Sequence, residues 1–167
     1  MEHRAYVAFI SYRHTEQDAA IAKAVHRSIE EYVIPRALRK EGKKKLGVVF
    51  RDEEELPVSS DLTESICRAL DNARYLVVVC SEAARESQWV QREVQYFLQH
   101  HSRDDVFVVL AQGEPQNVFP EELTHVTDPQ TGLEMSVEPL AIDARGIFEE
   151  TEKADQKAVC RHAGLCL

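Results

Sequence analysis

The chain has 167 residues, 44% of them hydrophobic and 29% charged, enough to bury one core without disulfides and without the ~20-residue apolar run that spans a bilayer. Its 29 acidic against 20 basic side chains give a net charge of −9; this repels phosphate backbones and excludes a general nucleic-acid binder, while a local site for a phosphate-bearing small molecule stays open. Met1-Glu2-His3-Arg4 leads into a strand-like run rather than a secretory leader, and Cys67, Cys80, Cys160 and Cys166 are unevenly spaced, so the expectation is a cytoplasmic protein with reduced thiols and no membrane span.

Ala5 to Tyr12 is a near-continuous apolar run of strand length, as expected of a central parallel strand covered on both faces. After the polar loop 13–17, Ile21, Val25, Ile29, Tyr32 and Val33 recur at helical spacing and predict a helix over Asp18 to Ile34, stopped by Pro35. The basic run 36–45 reads as a solvated loop. Gly47 to Phe50 reads as a short strand, and Asp61-Leu62-Thr63-Glu64 as a capping box opening a helix that turns Ile66, Ala69, Leu70 and Ala73 inward. Tyr75 to Cys80 gives the strongest strand signal in the chain, followed by a helix over Ser87 to His101 and a strand over Val106 to Leu110. Residues 112–137, rich in Pro, Gly, Asn and Asp, read as a long loop before a last strand at Pro139 to Ile142.

Alternating strands and helices imply an α/β fold, a flavodoxin-like parallel sheet of about five strands flanked by helices. The domain is expected over residues 1–147, with 148–167 a weakly patterned C-terminal tail. That tail carries Cys160, His162 and Cys166, three ligands where a structural zinc needs four, so no metal is expected. In an open parallel sheet, ligands bind outside the carboxyl ends of the strands. The residues there are Ser11-Tyr12-Arg13-His14, the acidic run Asp52 to Glu55, and Ser81-Glu82.

These residues also carry a family resemblance. Phe9-Ile10-Ser11-Tyr12-Arg13 resembles the first-strand box of Toll/interleukin-1 receptor (TIR) domains. Val49 to Asp52 through Leu56-Pro57, the helix to Arg74, and Val77 to Ser81 resemble the second strand, the mobile BB loop and the third strand of that family. Ser87-Gln88-Trp89-Val90-Gln91-Arg92-Glu93 resembles the Trp-x3-Glu segment of its bacterial NAD-cleaving subgroup. The likeness covers about residues 5 to 142, and one departure is that Val58-Ser59-Ser60 stands where many relatives have a glycine in the BB loop.

The resemblance implies NAD+ nucleosidase activity, with NAD+ as substrate and no cofactor. Glu93 would be catalytic; Tyr12, Arg13, Asp52, Leu56, Ser81 and Trp89 would bind substrate, Arg13 pairing with phosphates under the BB loop. It also implies other TIR domains as partners, a separate sensor protein, and a defence or signalling role triggered by self-association. Independently of the resemblance, Trp89 and Glu93 at i, i+4 share a helical face beside the stripe Val90, Val94 and Phe97. Glu93 is thus expected at the edge of the core, partly desolvated, with Trp89 offering an aromatic face to a flat ring or cation.

Other chemistries fit less well. Ser11 and Ser81 lie in no Gly-x-Ser-x-Gly elbow and have no partners at triad spacing, which favours capping or turn roles. The seven histidines read as surface groups. A phosphoreceiver needs an acidic pair after strand one, where Tyr12-Arg13 stands, and a Rossmann dehydrogenase needs a Gly-x-Gly-x-x-Gly turn that follows no strand here. The alternative kept from another class is a noncatalytic TIR–TIR interaction scaffold.

Overall fold

The computed structural model describes residues 4–52 and 62–146. Five parallel strands form one sheet in the order β2-β1-β3-β4-β7, with β1 Tyr6–Ser11, β2 Val49–Arg51, β3 Ala73–Cys80, β4 Val106–Leu110 and β7 Ala141–Asp143. The registers Phe9↔Phe50, Ile10↔Val77, Val79↔Val109 and Leu110↔Asp143 fix which side chains share a face. Because successive residues of a strand point to opposite faces, Phe9, Leu76, Val78, Val108 and Leu110 form one core cluster, and Ala8, Ile10, Val77, Val79 and Val109 form the other.

The first cluster is covered by α2 (Glu64–Asp71) and α4 (Gln88–His100), which bury Ile66, Leu70, Val90, Val94 and Phe97. The second is covered by α1 (Glu16–Glu31) through Ile21 and Ala22. Beyond α1 this face is open among the described residues. Exposed Phe107 and Ile142 join Val25, Ile29 and Tyr75 along an apolar groove of about 440 Å³.

Helix ends follow local chemistry more closely than the apolar pattern alone indicates. Helix α1 starts two residues before Asp18 because the Thr15 side chain accepts from the Asp18 backbone N–H, and it ends at Glu31, with Tyr32 already extended. Helix α2 is capped by Thr63, which accepts from Ile66 N–H; the expected cap, Asp61, lies outside the described residues. Ser87 caps α4, and a short helix α3 (Glu82–Glu86), unforeseen from sequence, is capped by Ser81. His101 is half-buried rather than a freely solvated surface group: its ring stacks on Phe97 at 4.0 Å, and burial holds its pKa below the usual value.

Residues 112–137 are not a structureless loop. They hold α5 (Pro115–Val118), α6 (Glu121–Thr124) and an antiparallel hairpin of β5 (His125–Thr127) with β6 (Glu134–Ser136). Pro115 occupies the first turn of α5, where its missing N–H costs nothing, and Val118, Phe119 and Leu123 anchor the segment on the α2/α4 face. Gly113 makes the turn into it at φ +82°, where a Cβ would lie 2.7 Å from Val118 Cγ1. Strand β7 begins two residues after the expected Pro139. The basic run 36–45 is largely exposed. The boundary at 147/148 and the tail fall outside the described residues.

Candidate active site

Strands β1 and β3 lie side by side, but the chain leaves β1 towards β2 and leaves β3 towards β4. Their carboxyl ends therefore flank the switch point of the sheet, where a crevice opens. Among the described residues, two buried carboxylates sit at these ends, each held by a serine from the end of a strand.

The first is Glu93. It falls on α4 between Val90, Val94 and Phe97, all buried, so it lies within the apolar stripe and not beside it; it is 2% exposed. The expected edge-of-core position is thus corrected to full enclosure, because residues 90, 93, 94 and 97 share one face at spacings of three and four. Ser11, the last residue of β1 and completely buried, donates its hydroxyl to Glu93 Oε2. Trp89, one turn earlier, packs its ring against the core, and its side chain favours the charged form of Glu93. Burial pushes the Glu93 carboxyl up to about 8; Ser11 and Trp89 oppose this, and the like charge of Asp52 adds to it.

The second is Asp18, in the first turn of α1 and 1% exposed. It accepts from Ser81 Oγ at 2.6 Å, and burial raises its pKa against the bonds from Ser81 and Thr15. Ser81 also accepts from Ala84 N–H at the start of α3, so one hydroxyl ties β3, α3 and α1 together. The thiol of neighbouring Cys80 is pushed up to about 12 by burial and by Asp18, which leaves it protonated and unreactive.

Among the other residues singled out from sequence, Tyr12 is buried and donates its hydroxyl to the Asp52 carbonyl oxygen at 2.6 Å, joining the end of β1 to the end of β2. Its ring lies 4.8 Å from that of His14. Arg13 is exposed beside it. Leu56, with the rest of 53–61, lies outside the described residues. The structure thus gathers Ser11, Tyr12, Asp52, Trp89 and Glu93 around one strand end and sets Ser81 with Asp18 at the next. Asp18 was missed in sequence, although a signal existed: it lies on the same helical stripe as Ile21, Ala22 and Val25.

A carboxyl group so enclosed has a high affinity for its proton and responds strongly to any positive charge brought to it. Such a site suits the stabilisation of a cation, either bound or developing in a transition state.

A five-stranded parallel sheet of this order, with side chains converging at its switch point, defines a flavodoxin-like α/β module. The TIR-domain family model matches residues 8–131, and the chain belongs to that family. A curated protein of Actinoplanes sp., NAD(+) hydrolase ApTIR, is 39% identical over 113 residues, which cover 65% of this chain and 14% of that protein. The chain therefore spans a small part of that relative. A solved structure, the TIR domains of the activated Roq1 resistosome directly recognizing the pathogen effector XopQ, aligns with a TM-score of 0.48 at 22% identity, covering 66% of this chain and 60% of that one. Among the described residues, no helix is long and apolar enough to cross a membrane.

Proposed function

We propose that this TIR domain is an NAD+ nucleosidase in which Glu93 is the catalytic carboxylate. The observation that carries this reading is the enclosure of Glu93 at the switch point, with Ser11 hydrogen-bonded to it and Trp89 one turn away on the same helix. The likeness to a protein called NAD(+) hydrolase supports it.

Nicotinamide joined to ribose is already a cationic leaving group, so its departure needs no general acid, unlike ordinary glycoside hydrolysis with its two carboxylates. As the C–N bond breaks, its electron pair leaves with neutral nicotinamide and positive charge develops on the ribose. The ionised Glu93 carboxylate, hydrogen-bonded to ribose hydroxyls, stabilises that charge. Water then forms the new bond to the anomeric carbon and loses a proton, giving ADP-ribose; attack by the adenine ring of the same molecule gives a cyclic ADP-ribose instead. Arriving substrate brings the cation that favours ionisation of Glu93, so binding and activation of the carboxylate are coupled.

Tyr12, Arg13, Asp52, Leu56, Ser81 and Trp89 are the proposed substrate-binding residues. Arg13, exposed beside the crevice, suits the phosphates. Trp89 borders the nicotinamide, and Tyr12 and Ser81 shape the walls. The proposed setting is a cytoplasmic bacterial effector in antiviral defence or signalling, switched on by self-association with other TIR domains under a separate sensor. Chromatography of NAD+ incubated with the protein at low and high concentration tests this. Nicotinamide should appear together with ADP-ribose or its cyclic form, faster per molecule at high concentration. Intact NAD+ at every concentration would favour a noncatalytic TIR–TIR scaffold.

A further inference from the structure

We propose that Ser11 is a positioning residue that fixes the orientation and the proton affinity of the Glu93 carboxylate. The inference rests on the nucleosidase reading for its catalytic meaning and on geometry for its substance. Ser11 ends β1, a strand paired on both sides, and its register partner on β3 is Val78. Its backbone is therefore held in the sheet by β3. Glu93 lies in the middle of α4, packed on the same core cluster. The hydroxyl of one and the carboxylate of the other are both enclosed, so their hydrogen bond joins two fixed elements and leaves Oε2 little freedom to turn.

A second consequence concerns charge. Among the described residues, Asp52 after β2 is the ionisable group whose charge bears on Glu93, and it opposes ionisation. Ser11 from β1 and Trp89 from α4 are uncharged and favour the carboxylate. Removing the hydroxyl leaves burial and Asp52 less opposed. A hydrogen bond to an ionised group commonly corresponds to a shift of about one pH unit or more.

The test compares wild type, Ser11→Ala and Ser11→Thr in the full chain by two readouts. The first is the titration of Glu93 in the substrate-free protein, followed by carbon NMR of labelled glutamate and assigned by loss of the signal in Glu93→Gln. The second is the pH profile of kcat/KM for nicotinamide release. Ser11→Ala should move the Glu93 midpoint, and with it the acid limb of the profile, upward by about one unit. Ser11→Thr, which keeps the hydroxyl, should stay near wild type in both. An unmoved midpoint in Ser11→Ala, or a loss of rate uniform across pH, overturns the proposal. The two readings fail separately: a shifted midpoint in a protein that releases no nicotinamide refutes the nucleosidase reading alone. Nicotinamide release with an unmoved midpoint refutes the role of Ser11 alone.

Discussion

Glu93 carries a cost in stability that exposes its state to measurement. Its carboxyl is held at about 8 in the folded protein against an ordinary 4.5, so between those pH values the native chain keeps a proton that the unfolded chain has lost. Stability must therefore fall as pH rises across that window. Glu93→Gln removes the burden, and the variant should be more stable than wild type by ~1–3 kcal/mol at pH 8.5, with the gap closing towards pH 5. Urea unfolding at the two pH values measures it; a variant less stable than wild type at both would contradict the enclosure described. Asp18, shifted in the same direction by burial, remains in the variant and leaves a residual slope. Both acids stand on apolar helical stripes, Glu93 with Val90, Val94 and Phe97, Asp18 with Ile21, Ala22 and Val25. That much is legible in sequence by counting threes and fours. The serines that hold them were not, because the pairs Ser11–Glu93 and Ser81–Asp18 span 82 and 63 residues, and spacing along a chain says nothing about contacts that a sheet creates.

Elements with strong periodicity were read nearly to the residue. The expected helix 87–101 is α4 with its Ser87 cap, and the strand 106–110 is β4 as drawn. Helix α4 couples core and site, since Phe97, fully buried, lies one turn beyond Glu93 and stacks on His101. Phe97→Ala should cost ~3–5 kcal/mol, read from the denaturant midpoint; a loss well under ~1 kcal/mol would contradict the packing of α4 on the sheet. The segment 112–137 was misread for a physical reason. Prolines and polar residues there mark turns, but Pro115 also starts a helix, and three apolar anchors, Val118, Phe119 and Leu123, suffice to fold short pieces onto an existing core. Such elements are too short for any periodicity to show.

At the scale of the whole molecule, the alternation of strands and helices indicated a parallel sheet, and the order β2-β1-β3-β4-β7 with one switch point follows the expected flavodoxin-like pattern. That topology brings the ends of β1 and β2 and the middle of α4 to one place, although residues 11, 52 and 93 lie far apart along the chain. It also leaves the α1 side of β4 and β7 uncovered among the described residues, a feature the pattern of apolar residues did not announce. The central claim, that this convergence makes Glu93 the catalytic carboxylate of a nucleosidase, is tested most directly by nicotinamide release from NAD+ at pH 8 in wild type and Glu93→Gln, each confirmed folded by its melting curve. The account predicts release by wild type and a loss of at least ~10²-fold in the variant, as for removal of a transition-state electrostatic contact. A variant that releases nicotinamide as fast as wild type would contradict it.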